Sequence, residues 1–278
     1  MPRRILVALA ATFALAAVAL VPTAASAYAP ADEATVHPGV MTYTEGGQCT
    51  SNFIFADGSG TYIGQAAHCA GTGTATETDG CDSGSLPLGT PVDINGASQP
   101  GTLVYSSWLA MQAAGETDPD ACAFNDFALV RIDPADVGKV NPSIPGFGGP
   151  TGIGGASATA DTVFSYGNSS LRGGVTLLSP KQGNVLATEG NGWSRTVYTV
   201  TPGVPGDSGS AFVNDSGQAI GTLSTLQLAP LAGGNGVADL SRELAYAQSH
   251  GFPGVTLQNG TEPSTPDLVG AILAGAGG

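Results

Sequence analysis

Positive charge is scarce in this chain. Eight Lys and Arg face 22 Asp and Glu, a formal net charge of −14 over 278 residues. Nucleic-acid binding is disfavoured, because phosphate recognition needs clustered cations. The acidity suits solubility instead. Charged residues of either sign make up only 11% of the chain. Gly, Ser and Thr must therefore carry much of the surface, as in an extracellular β-rich protein with many turns.

Long apolar runs are also missing, with one exception at the start. Residues 5–21 are almost unbroken apolar sequence behind Arg3 and Arg4, and Ala25-Ser26-Ala27 follows. A basic start, an apolar stretch and a small-x-small site predict a signal peptide over 1–27, cut after Ala27, and hence a secreted protein. A membrane anchor is the weaker reading, since the run is short and ends in small residues. The apolar stretch 268–273 is too short to span a bilayer, so no membrane partner is expected. Removal of the leader leaves 6 Lys and Arg against 22 Asp and Glu, a net of −16. Residues 28–278 are enough for one domain or two small barrels.

Histidine and cysteine are few enough to consider one by one. The cysteines are Cys49, Cys69, Cys81 and Cys122. In an exported chain they are most simply two disulfides, with three possible connectivities. Zinc is disfavoured because no two cysteines stand close together. The acidic stretches 77–82 and 116–120 lack the spacing of a dedicated calcium loop and read as solvated surface. No metal or cofactor is expected, and no solenoid-type repeat is present. Nothing points to an oligomer, so a monomer is the default expectation.

Short β-like runs separated by Gly, Asn, Asp and Pro fill the rest. They fall at 52–56, 60–65, 102–107, 127–132, 162–166, 195–201, 211–214 and 219–224. Residues 28–45 read as a polar lead-in or short pro-segment. The Gly- and Pro-rich stretch 141–160 reads as a linker between two β-halves. A single amphipathic helix is predicted over 237–249 from Val237, Leu240, Leu244 and Ala247, closed by His250 and Gly251. Residues 251–278 become low in complexity and read as a disordered tail.

Three motifs carry chemistry. Ala66-Ala67-His68-Cys69 comes first, then Asn125-Asp126-Phe127-Ala128-Leu129-Val130, then Gly206-Asp207-Ser208-Gly209-Ser210. A serine nucleophile, a histidine base and an aspartate that fixes the imidazole tautomer are the parts of an acyl-transfer site. His37 precedes Pro38, and His250 ends a helix where a cation is favoured, so His68 is the candidate base. Asp118 and Asp120 rival Asp126, but only Asp126 opens an apolar strand. Gly-Asp-Ser-Gly alone would be weak, since these residues are common in turns. The order His, Asp, Ser sets the chain apart from subtilisins and α/β-hydrolases.

With these motifs the chain resembles the secreted trypsin-like (chymotrypsin-fold) serine peptidases, in their bacterial branch, over roughly residues 38–250. The resemblance implies an all-β fold: two six-stranded antiparallel barrels packed together, a C-terminal helix, and a cleft between them. It implies a serine endopeptidase acting on protein or peptide substrates. His68, Asp126 and Ser208 would be catalytic, and the Gly206 and Ser208 N–H groups would form the oxyanion hole. In this family the cysteine beside the histidine is tied to one upstream, where Cys49 fits; Cys81 and Cys122 are then left to each other. The aspartate before the serine is buried and needs a cation. No Ile-Val-Gly-Gly-like activation site precedes Cys49, so an internal basic residue is expected to serve Asp207. Arg172 is preferred over Arg195. Pro202 would floor the substrate pocket and Ser224-Thr225-Leu226 would wall it. An apolar floor predicts cleavage after small or medium apolar residues. The rival reading is a protease-fold binding protein that has lost turnover.

Overall fold

The structure, a computed structural model, describes residues 28–74, 77–227 and 233–275. The predicted signal peptide lies outside them. Seven strands open the described chain: β1 (Met41–Thr44), β2 (Gly47–Thr50), β3 (Ile54–Asp57), β4 (Gly60–Gln65), β5 (Pro91–Ile94), β6 (Gly101–Ser106) and β7 (Ala128–Arg131). Six more follow: β8 (Thr162–Tyr166), β9 (Pro180–Glu189), β10 (Ser194–Thr199), β11 (Ala211–Asn214), β12 (Ala219–Gln227) and β13 (Gly234–Asp239). The second group closes into an antiparallel barrel, β10-β13-β12-β11-β8-β9. The first group, joined by β14 (Thr256–Leu257), forms an eight-stranded sheet ordered β14-β3-β4-β7-β6-β5-β1-β2. The expectation of two six-stranded barrels therefore holds for the second unit and is corrected for the first.

The β3-β4-β7-β6 part of the first sheet is largely buried on both faces, and its side chains sort accordingly. Strand residues alternate sides. Ile54, Ile63, Leu103 and Val130 enter one aliphatic core. Their neighbours Phe55, Tyr62, Tyr105 and Leu129 enter a second cluster with Phe164, Val213 and Leu244 from the other half of the chain. That second cluster is the seam between the two units. Val163, Val185, Val197, Phe212, Leu223 and Val237 fill the closed barrel.

Of the four α-helices among the described residues, the first two pack on the first core, and the last two reach the seam. Helix α1 is Ser107–Ala114, and α2 is Pro119–Phe124, capped by Asp118 accepting from Asp120 N at 3.0 Å. Neither shows the apolar periodicity that flags a helix. Helix α3 is Leu240–Ser249, with Asp239 as N-cap accepting from Arg242 N at 3.0 Å. The predicted helix began at Val237, but that residue belongs to β13, paired with Arg195 on one side and Leu223 on the other. β-Branched Val prefers the pleated surface, and Asp239 supplies the start signal two residues later.

Within the described residues the tail, 251–275, is ordered, which corrects the expectation of disorder there. Thr256 and Leu257 pair with Ala56 and Phe55. The Thr265 N–H donates to the Phe147 carbonyl at 2.8 Å. Helix α4 (Leu268–Gly275) buries Ala271 in the seam. Composition looked too simple for a core, but Phe252 sets its ring edge-on to Tyr62 and Tyr105, and Val255 is fully buried. The tail covers aromatic surface that would otherwise face water. Residues 28–45 are likewise part of the fold. Val36 and Val40 are buried, the Ala29 N–H reaches the Val140 carbonyl at 2.9 Å, and β1 lies inside this segment. Stretch 141–160 does connect the two units, and it packs Ile144 and Phe147 into the seam.

Candidate active site

Strand β4 ends at Gln65 and runs into a single 3-10 turn, Ala67–Ala70, that carries His68. A disulfide ties Cys69 in this turn to Cys49 in β2. The second disulfide joins Cys81 to Cys122 on α2. Closing loops of these lengths stabilises the fold by roughly 3–4 kcal/mol each in the entropic account. Helix α2 ends at Phe124 with Asn125 as its C-cap, and Asp126 follows immediately, before β7.

Asp126 and His68 meet twice. The His68 backbone N–H donates to Asp126 Oδ1 at 2.8 Å, and the ring Nδ1 lies 2.6 Å from Oδ2. A carboxylate partner puts the proton on Nδ1 and leaves Nε2 free to accept. Burial opposes charge on the imidazole, but the Asp126 carboxylate outweighs it, and the His68 pKa lies above its ordinary value. Burial likewise works against ionised Asp126. His68 and the hydroxyl of Ser224, which donates to Oδ2 at 2.6 Å, overcome it and hold the carboxyl below its usual range.

Ser208 stands in the loop between β10 and β11. Its carbonyl accepts from the Thr50 N–H at 2.8 Å, a bond from one unit to the other. Gly206 has φ +96°, and a Cβ there would lie 2.3 Å from Gln48 Oε1. Only glycine fits such a backbone at such an approach. Its carbonyl is held by Thr50 Oγ1 at 2.7 Å and Gln48 Nε2 at 3.0 Å. Among the described residues, neither the Gly206 nor the Ser208 N–H has an acceptor. His68, Gly206, Ser208, Ser224, Thr225 and Leu226 line one cavity of about 630 Å³. No hydrogen bond joins Ser208 Oγ to His68 among the described residues. Such contacts commonly tighten only with substrate present.

Asp207 is fully buried and held by two cations. Arg172 grips it bidentately at 2.5 and 2.6 Å. Lys181, itself buried, reaches Oδ2 at 3.2 Å. Gly167 makes room, since a Cβ there would lie 2.5 Å from Asp207 Oδ1. Burial, with Arg172 nearby, pulls Lys181 down to about 8 although Asp207 pulls it up. Arg195 is elsewhere. It pairs with Asp239 and donates to the Ile220 carbonyl at 3.0 Å.

Pro202 is outside the cavity lining and exposed, contrary to its expected place at the pocket floor. Its loop turns Gly203 inward, where the N–H meets Asn235 Oδ1 at 3.2 Å. Pro202 itself is left facing outward, with its carbonyl toward Lys181. Ser224, read as pocket wall, also supports Asp126. Lys181, Thr222 and Glu243 were missed. Glu243 had left a sign: it shares the buried stripe of α3 with Leu240, Leu244 and Ala247, where a carboxyl is out of place.

The closed barrel, the partner sheet and the cleft across their seam define the trypsin-like fold of the bacterial serine peptidases. In particular, the chain is similar to Thermobifida fusca protease A, with a TM-score of 0.51 at 18% identity, over 82% of this chain and 100% of that one. It is also similar to a glutamic acid specific serine protease with a histidine triad in substrate binding, with a TM-score of 0.50 at 18% identity, over 80% and 100%. No protein-family model and no curated protein sequence matches the chain. No helix among the described residues is long and apolar enough to cross a membrane.

Proposed function

We propose that the protein is a secreted serine endopeptidase with Ser208 as nucleophile, His68 as general base and Asp126 as the group that orients it. The observation that carries this reading is the bond between His68 Nδ1 and Asp126, made at the wall of a cleft that Ser208 shares. Ser208 Oγ attacks the scissile carbonyl and passes its proton to His68 Nε2. The charge that develops on the carbonyl oxygen faces the free N–H groups of Gly206 and Ser208. His68, now imidazolium, is stabilised by Asp126 and gives its proton to the leaving amine. Water then hydrolyses the acyl-enzyme by the same route.

Ser224, Thr225 and Leu226 flank Ser208 and support a preference for small or medium apolar side chains before the cut. Among the described residues no Lys or Arg lines the cleft, and His68 is its only histidine. A substrate carboxylate would lack the histidines that the glutamic acid specific neighbour uses. Glu45 and Glu77 also line the cleft; they belong to the first half of the chain, whereas Ser224–Leu226 belongs to β12 of the closed barrel.

A phosphonylating probe tests the reading. Labelling at Ser208, lost in Ser208→Ala and His68→Ala, supports the enzyme. Folded protein that neither labels nor hydrolyses peptides supports a binding module instead. Chromogenic peptides that differ only before the cut test specificity, and a clear preference for Arg or Lys would overturn the apolar assignment.

A further inference from the structure

Behind Asp126, on the side away from the cleft, sits a second carboxyl. Glu243 projects from α3 and is 0% exposed. Its Oε1 accepts from the Asp126 backbone N–H at 3.2 Å, and its Oε2 lies 3.0 Å from Thr222 Oγ1 of β12, a hydroxyl that donates to a carboxylate and accepts from an uncharged carboxyl. Among the described residues no Lys, Arg or His forms an ion pair with it. Arg195, a buried cation of the same barrel, is committed to Asp239.

We propose that Glu243 is a positioning residue: its buried carboxyl fixes the peptide that carries Asp126 and so aims the Asp126–His68 pair at Ser208. The proposal rests on the peptidase reading above.

Asp126 Oδ1 and Oδ2 are already occupied by His68 and Ser224, so the backbone N–H is the remaining handle on this residue. Glu243 takes that handle and is itself anchored to β12, two residues before Ser224. One helix side chain thereby ties the Asp126 loop of the first unit to the strand of the second.

The carboxyl is uncharged for a separate reason. A buried carboxylate without a cation is costly, and a like charge beside it adds to the cost. The groups that face Glu243 are Asp126 on the loop, Asp239 at the start of its own helix, Thr222 on β12 and Tyr105 on β6. None can carry a positive charge. Burial first, and the Asp126 carboxylate second, push Glu243 well above the usual carboxyl range. A neutral group also leaves His68 undisturbed. A second anion behind Asp126 would stabilise the imidazolium and deplete the base.

The test compares Glu243→Gln, Glu243→Leu and Thr222→Val by kcat, KM and the pH profile of kcat/KM. Glutamine keeps an acceptor for Asp126 and a donor for Thr222 without charge. Glu243→Gln is expected to keep kcat within about threefold and to leave the acidic limb in place. Glu243→Leu is expected to lower kcat about tenfold or more, with KM changed by less than about twofold. A merely structural role would lower stability without this split. If Glu243→Leu does not fold, Thr222→Val decides, with an expected loss in kcat of about threefold. Wild-type kcat in folded Glu243→Leu, or in Thr222→Val where the leucine variant fails, overturns the positioning role. An acidic limb that drops by about one pH unit in Glu243→Gln overturns the uncharged state. Labelling of wild-type Ser208 is read first. If the wild type is inert, both readings fall; if it is active and Glu243→Leu matches it, only the role of Glu243 falls.

Discussion

Ser224 and Asp126 lie on different halves of the molecule and meet at 2.6 Å, hydroxyl to carboxylate. Ser224 belongs to β12 of the closed barrel, and Asp126 precedes β7 of the first sheet. The His68–Asp126 pair is thus held from both units. Ser224→Ala is expected to fold normally and to lose about tenfold in kcat/KM. A hydrogen bond to a charged group is worth about 1.5–3 kcal/mol, and 1.4 kcal/mol is tenfold. Steady-state kinetics on a peptide substrate would check it.

The pH dependence follows from His68. Its pKa is raised above 6.5 because the Asp126 carboxylate outweighs the effect of burial. The base form is required, so kcat/KM should fall as pH drops through a midpoint above 6.5. The same contact affects stability with the opposite sense. A raised histidine stabilises the fold fully below its unfolded value and loses that contribution as pH rises through the folded one. In inactive Ser208→Ala the Tm should therefore decline across that window, and in His68→Ala this decline should vanish. Calorimetry over a pH series would measure both.

Asp207 provides a graded test of the two cations. Arg172→Met removes the bidentate partner and leaves Lys181, so a loss of about 3 kcal/mol is expected, with turnover reduced through the Gly206–Ser208 turn. Lys181→Met should cost less, because Lys181 already carries its charge at a penalty. Its folded value is about 8 against an ordinary 10.5. Between these values the unfolded chain binds more protons, so this group makes stability rise with pH. That rise should be missing from Lys181→Met. Denaturant titration from pH 7 to pH 10 separates the cases.

Deletion of residues 252–278 should destabilise the protein and leave the site chemistry in place. It removes β14, the buried Val255 and Ala271, and the Phe252 ring against Tyr62 and Tyr105. Losing the fully buried Val255 together with the half-buried Phe252 is expected to cost about 3 kcal/mol, which corresponds to a drop of roughly ten degrees in Tm. Thermal unfolding of the truncated chain would show it, and an unchanged Tm would mean that the tail contributes nothing.

Local sequence was informative wherever neighbours along the chain decide the outcome. The short β-like runs at 60–65, 162–166 and 211–214 are strands at the same bounds. The apolar stripe at Leu240, Leu244 and Ala247 is the buried face of α3. The three motifs by themselves singled out His68 and Asp126, which bond, and Ser208, which lines the same cavity as His68, because a histidine beside a cysteine, an aspartate before an apolar strand and a serine between glycines are each local patterns. The tertiary structure decided what depends on segments far apart. Only packing could show that Phe252, Val255 and Ala271 finish the seam, since a tail so rich in small residues has no periodicity of its own. Only packing could separate Arg195, taken up by Asp239, from Lys181, turned toward Asp207. Glu243 makes the same point, because a carboxyl on an apolar stripe has a meaning only once the backbone N–H it holds is brought to it from across the fold.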